Sequence, residues 1–270
     1  MGKLIVVKLG GTEGVDFSAI CADAKQLLES GPRLVFVHGG SAEANALGEK
    51  LNTPPRFITS PSGYSSRYTN RETLEIFLMA VNGKINSLLV EQLQSLKVNA
   101  LGLSGLDGRL LLALRKESIQ SVENGKRKII RDDYTGKIEK VNTDLLNSLL
   151  SQGYLPVIAP VACSLDGEAL NVDADRAAAM VAAALNAETL LLLTAVPGLM
   201  KNFPDETTLI KEVSKNSLAD ALEIAQGRMK KKILGSEEAL DGGVKKVIIA
   251  DGRVSKPISN ALAGNGTVIQ

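Results

Sequence analysis

The sequence predicts an α/β protein: a three-layer αβα sandwich around a mainly parallel central sheet, with projecting β-hairpins. Three observations carry that expectation. Short apolar runs alternate with longer amphipathic segments, glycine pairs close two of the runs, and the stretch 109–140 changes to period-two alternation. With 270 residues, 44% of them hydrophobic and 23% charged, the chain has the bulk and the mix of an enzyme-sized globular body.

The elements follow in order. "LIVVKL" at 4–9 reads as the first strand and "FSAICADAKQLLES" as the helix that crosses back; "RLVFVH" and "SAEANALGEKL" repeat the pair. The segment "NRETLEIFLMAVNGKINSLLVEQLQSL" reads as one long amphipathic helix, its apolar stripe turned to the body of the protein or to a second subunit. Between 109 and 140, alternation on both sides of "ENGK" is the pattern of hairpins leaving the main sheet. In "YLPVIAPVACSLDGEAL" two prolines are expected to bracket a short strand and to mark a boundary between an N-terminal lobe, 1–160, and a C-terminal lobe, 161–270, of one continuous domain. The helix "ADRAAAMVAAALN" that follows is apolar on all sides, hence buried, and "ETLLLLT", "GRMKKKILGSEEAL" and "KKVIIA" complete the alternation. Right-handed crossovers then fix the handedness of the whole.

Composition and motifs exclude several classes of function. A net charge of +1 offers no general basic excess for nucleic acid. Cys21 and Cys163 lie far apart with no C-x-x-C, as expected of reduced, buried thiols in a cytoplasmic protein. No secretory leader is evident, and no uninterrupted apolar run reaches the ~20 residues that span a bilayer. "NGKI" and "TGKI" fail the Walker pattern, and "GLSGLDG" spaces its glycines wrongly for a dinucleotide fingerprint. His38 is the single histidine, which makes a Ser-His-Asp hydrolase or a multi-histidine zinc site hard to assemble.

A reaction that needs no general base fits these absences. A carboxylate is already deprotonated at neutral pH and can attack a γ-phosphoryl group directly, provided positive charge gathers the anionic oxygens in line. Lys8, at the inner end of an apolar strand, is placed to supply such charge; a buried ammonium is unfavourable unless an anion meets it. Gly10 and Gly11 after the first strand, and Gly39 and Gly40 after the second, fall where ligands bind open parallel sheets and offer unobstructed backbone N–H groups.

Motifs along nearly the whole chain, "VKLGG", "VHGGSAE", "SRYTNRETLEIFLMAVNGKIN", "LNVDADRAAAMVAAAL", "LLLLTAVPGL" and "GRMKKKI", resemble the amino acid kinase family, within it the acetylglutamate kinase branch. "HGGSAE", "SRYTNRETLE", "GLSGLDGRLLLALRK", "SVENGK" and "RDDYTGKIEKVN" are similar to the members that phosphorylate α-aminoadipate carried on the amino-group carrier protein LysW, in lysine biosynthesis. The resemblance implies a phosphotransferase using ATP with Mg²⁺, cytoplasmic and homodimeric, with an acidic carrier as substrate. It implies that Lys8 and Lys232 flank the migrating phosphoryl group with Asp175 between them; Lys230 and Lys231 are the alternatives within "MKKK". It implies phosphate contacts from Gly10 and Gly11, acceptor contacts from Gly39 and Gly40, a fork from Arg67 to the acceptor's second carboxylate, and an amide contact from Asn171. No dedicated metal ligand is identified, Asp173 included.

Two departures from the branch stand out: Ser41 follows the second glycine pair where a third glycine is usual, and Ala195 stands where a carboxylate or amide is common. Between 115 and 140 eight Lys and Arg oppose five Asp and Glu, a surface suited to an acidic carrier. The alternatives are N-acetylglutamate or carrier-linked glutamate as acceptor in arginine biosynthesis, a silent nucleotide- or amino-acid-binding regulator, and a structural oligomerisation module. The chain begins at its first strand, so no arginine-responsive N-terminal helix is expected.

Overall fold

The computed structural model describes residues 2–11, 15–61, 63, 65–123 and 126–270. Its strands, in chain order, are β1 (Leu4–Leu9), β2 (Arg33–His38), β3 (Phe57–Thr59), β4 (Ser65–Arg67), β5 (Ala100–Gly105), β6 (Leu111–Arg115), β7 (Ile119–Glu123), β8 (Lys126–Ile130), β9 (Gly136–Val141), β10 (Leu155–Cys163), β11 (Ala169–Asn171), β12 (Thr189–Thr194), β13 (Glu212–Val213), β14 (Lys246–Asp251) and β15 (Thr267–Ile269). The helices are α1 (Phe17–Glu29), α2 (Ser41–Lys50), α3 (Arg71–Leu78), α4 (Ser87–Ser95), α5 (Thr143–Ser151), α6 (Ala174–Ala184), α7 (Leu218–Ile224), α8 (Arg228–Asp241) and α9 (Pro257–Leu262). Local chemistry starts several of them: Asp16, Asn70, Asn142 and Asp173 each accept backbone N–H groups of the helix they precede, the donors that a helix start leaves unpaired.

The principal sheet runs β13-β15-β14-β12-β1-β2-β10-β6-β9, with β5 and β11 also on β10. β1, β2, β5, β10, β12 and β14 pair in parallel, and antiparallel pairs fall toward the margins. The order reverses at β1: the chain first lays down β2 and β10 on one side, then returns to place β12 and β14 on the other. That switch point is where a parallel sheet opens a crevice.

Strand periodicity sorts β1 between the two helical layers. Ile5, Val7 and Leu9 pack with Ile20 and Cys21 of α1, Leu89 and Leu93 of α4, and Ile258 of α9. Leu4 and Val6 face the other way, into a core with Leu146 of α5, Ala178 of α6 and Ile233 of α8. Successive side chains alternate, so Lys8 shares the face of Val6 and is directed to α6 and α8. The alanine-rich α6 lies against the sheet with Ala177, Ala178, Ala179, Val181 and Ala182 all buried.

Three expectations need amendment. Pro156 and Pro160 lie inside β10, a nine-residue strand, instead of bracketing a short one. Up to Ala159 the strand pairs with β2 and β5, and from Val161 with β11 and β6, so Pro160 stands at the change of partners, where a missing N–H breaks no ladder. The long helix is continuous in space but contains a π-helical segment, Met79–Asn86, between α3 and α4. By length and composition this run, 71–95, would suffice to cross a membrane, which an uninterrupted-run reading misses because polar residues punctuate it. Its Leu74, Phe77, Ala80, Val81, Leu89 and Leu93 are instead buried in the cores of this chain. Alternation after 109 resolves into β6 and β9 on the main sheet and a separate antiparallel pair of β7 and β8; residues 124 and 125 of "ENGK" lie outside the described set.

Candidate active site

All nine residues singled out from the sequence, Lys8, Gly10, Gly11, Gly39, Gly40, Arg67, Asn171, Asp175 and Lys232, line a single cleft of about 1470 Å³ at the switch point. Pockets for one drug-sized ligand span roughly 300–1000 Å³, so this cleft is larger than one such ligand needs.

Its floor is a charge cluster. The Asp175 carboxylate, in the first turn of α6, lies between Lys8 of β1 and Lys232 of α8: Lys8 Nζ is 2.8 Å from Oδ1, and Lys232 Nζ donates to Oδ2 at 2.7 Å. All three side chains are buried. The Lys8 contact is a buried, charge-assisted ion pair. Burial by itself would raise the Asp175 pKa, but the Lys232 and Lys8 ammonium groups overcome it and hold the carboxyl well below the usual aspartate range. Lys232 is lowered from its ordinary value, first by burial and also by Lys8, with Asp175 opposing. Two ammonium groups against one carboxylate leave the cluster with a net positive charge. Within the lysine run, Lys231 turns instead toward Asp173, 3.7 Å away.

The glycine pairs meet backbone to backbone above this floor. A Cβ on Gly11 would come within 2.3 Å of the Gly40 nitrogen, and one on Gly39 within 2.7 Å of the Gly11 nitrogen. No side chain fits between the two turns, and the cleft meets them as bare backbone; the Gly39 N–H is already donated to the Leu9 carbonyl at 2.9 Å.

At the acceptor side, Arg67 is buried at the end of β4, and its Nη2 donates to the Ser41 carbonyl and to Asn45 Oδ1. Thr69 ties Arg67 to Asn171: its hydroxyl accepts from Asn171 Nδ2 at 3.1 Å and donates to the Arg67 carbonyl at 3.2 Å. Asp133, 2% exposed, anchors the group by accepting the Thr69 N–H at 2.9 Å and the Thr135 N–H at 2.9 Å. Burial lowers the Arg67 pKa, and the charge of Arg228 adds to the shift. Arg228 also lines the cleft, one helical turn before Lys232 on α8. Two guanidinium groups whose charges repel across an open cleft mark a place for an anion.

Asn45, Asp133 and Arg228 were not singled out from the sequence. Arg228 carried a usable signal, its i, i+4 spacing from Lys232. Asn45 and Asp133 carried none, because their partners lie 22 and 64 residues away.

The amino acid kinase family model matches residues 3–251, nearly the whole chain. The chain belongs to the amino acid kinase family. Among its relatives in that family, the [LysW]-aminoadipate kinase of Deinococcus radiodurans is 57% identical over 267 residues, covering 99% of this chain and 91% of the relative. The [LysW]-aminoadipate kinase of Thermus thermophilus is 51% identical, covering 99% and 100%. Among solved structures, the N-acetylglutamate synthase of Neisseria gonorrhoeae complexed with coenzyme A and N-acetyl-glutamate superposes with a TM-score of 0.81 at 27% identity, covering 99% of this chain and 59% of the synthase.

Among the described residues no group of three or more His, Cys, Asp or Glu is placed to hold a cation. Asp173 Oδ1 already accepts the Asp175 and Arg176 N–H groups, and the Asp175 oxygens face lysines. A protein-held Mg²⁺ does not fit these donors.

Proposed function

We propose that this amino acid kinase transfers the γ-phosphoryl group of ATP to the side-chain carboxylate of α-aminoadipate linked to a LysW-like acidic carrier protein, giving ADP and an acyl phosphate for reduction in lysine biosynthesis. The Lys8–Asp175–Lys232 cluster at the floor of a two-substrate cleft carries this reading. The acceptor carboxylate attacks without giving up a proton, so no base is required. Lys8 and Lys232 neutralise charge on the oxygens in flight, while Asp175 holds both ammonium groups at fixed separation. Gly10 and Gly11 donate backbone N–H groups to phosphate oxygens, and Gly40 donates to the acceptor beside Gly39, whose own N–H, contrary to expectation, is held by the Leu9 carbonyl. Arg67 forks the acceptor's second carboxylate and Asn171 holds its amide region. Residues 1–160 then form the acceptor lobe and 161–270 the nucleotide lobe. Any Mg²⁺ arrives on the nucleotide phosphates, and no step above depends on it.

Tying the amine up as an amide prevents it from attacking the nearby acyl phosphate and cyclising, which gives the carrier a chemical purpose. The exposed β8 strand, with Lys126 and Arg127, is the proposed carrier face. We further infer a cytoplasmic homodimer that covers Met79 and Leu88, exposed on the long helical run, with subunit count by sedimentation as the test. The likeness to a synthase that holds N-acetyl-glutamate supports a second reading, in which free N-acetylglutamate, or glutamate on the same carrier, is the acceptor. Assays of the purified enzyme with ATP and each acceptor separate them. Turnover of carrier-linked aminoadipate above the others is expected; strong turnover of the free acid alone would remove the carrier.

A further inference from the structure

His38 ends β2, immediately before Gly39 and Gly40, and is wholly buried, yet no step above uses it. Its ring makes two contacts: Nδ1 lies 2.9 Å from the Gly39 carbonyl oxygen, and Nε2 lies 3.1 Å from Asn86 Nδ2. The proton can be placed by elimination. Asn86 Nδ2 also donates to the Val157 carbonyl at 2.9 Å, so that atom is the amide nitrogen and only a donor. Nε2 must therefore accept, and the single ring proton sits on Nδ1, where it donates to Gly39. Burial pushes the imidazole down to about 4, with the Gly39 carbonyl opposing and Lys8 reinforcing the shift, so the ring stays neutral at physiological pH.

The surroundings are built around this bond. Asn86 is the last residue of the π-helical segment, and its Oδ1 fills the space beside Gly102, where a Cβ would approach to 2.1 Å. The same segment presses Val81 and Ile85 against Gly40. π-helical insertions recur at functional sites; here one fixes the histidine and backs the glycine turn that the histidine holds.

We propose that His38 is a positioning residue for phosphoryl transfer: by holding the Gly39 carbonyl inward, it turns the N–H of the same peptide plane, that of Gly40, outward into the cleft as a preset donor to the acceptor carboxylate. The C=O and N–H of a trans peptide point in opposite directions, so fixing one aims the other. No backbone partner takes the Gly40 N–H among the described residues. This inference rests on the phosphotransferase reading for its kinetic consequence and on the ring geometry for the rest.

Because His38 is the single histidine, ¹⁵N-histidine NMR reads its tautomer without assignment. The expected spectrum shows a protonated Nδ1 and an unprotonated Nε2 throughout neutral pH; a proton on Nε2, or an ordinary histidine titration, would overturn the proposal. His38→Leu fills the space without a donor, whereas His38→Asn keeps an amide N–H near the Nδ1 position. The Leu variant should melt cooperatively but lose about tenfold in kcat with little change in KM for ATP, and Asn should recover most of that loss. Equal kcat in Leu and wild type, or equal losses in both variants, would sink the assignment. Should the Leu variant not fold, the tautomer and the Asn variant decide. A wild-type protein inactive on every acceptor would defeat the phosphotransferase reading instead. His38 would then be judged by the tautomer and by whether Leu, but not Asn, moves the Gly40 amide resonance.

Discussion

Asp175 sets the charge balance of the floor, and its neighbours differ in what their loss would do. Lys8→Ala leaves Asp175 paired with Lys232, so the fold should persist while turnover drops about 10²–10³-fold, the usual effect of removing one preorganised electrostatic contact. Steady-state kinetics with circular dichroism check this, and undiminished turnover would favour the silent regulator. Asp175→Asn strands two buried ammonium groups, and a loss of about 3–5 kcal/mol in chemical denaturation is expected. The folded pKa of Asp175 lies below its unfolded value, so its stabilisation is complete above about pH 4 and fades as pH falls from there toward the folded value. The stability gap between wild type and Asp175→Asn should accordingly hold steady from neutrality to about pH 5 and narrow only in stronger acid; a gap that closes near neutrality would contradict the ionised pair. At this scale the sequence disclosed residues embedded in recognisable motifs, Lys8, Asp175 and Lys232 among them. It concealed Asn45, Asp133 and the bond between His38 and Asn86, because a hydrogen bond between residues 48 positions apart leaves no local pattern.

Elements carry the next layer of constraint, and the two glycine turns test it. Gly11→Ala would drive a Cβ into the Gly40 backbone, which cannot swing aside, so loss of turnover and about 1–3 kcal/mol of stability are expected. Gly83→Ala, in the π-helical segment with open space around it, serves as the contrast and should be neutral or stabilise by up to about 1 kcal/mol. Thermal melts of the two variants side by side would expose an error in either. Hydrophobic period made α1, α2, α6 and the strands β1, β2, β12 and β14 legible in advance. The prolines of β10 misled because proline is a breaker in most strands; only the partner change at residue 160, a tertiary fact, makes room for it. The π-helical segment was equally hidden, since one extra residue per turn barely alters an apolar stripe.

For the whole molecule, the alternation of runs and helices implied a parallel sheet but not its order. Placing β12 beside β1 required the fold itself, and with it the crevice between residues far apart in the chain. Charge distribution belongs to this scale too. Reversing Lys126 and Arg127 to glutamate should raise KM for the carrier-linked acceptor severalfold and leave KM for ATP unchanged, and added salt should mimic the effect on the wild type. If neither manipulation discriminates between the two substrates, the carrier docks elsewhere. The cluster that draws on positions 8, 175 and 232 has a further consequence during synthesis. A ribosome that has delivered only the first two hundred residues has made two of the three charges, and the remaining lysine is still to be translated. If the three charges transfer the phosphoryl group as proposed, unfinished chains spend no nucleotide, and activity switches on only once α8 has emerged and docked.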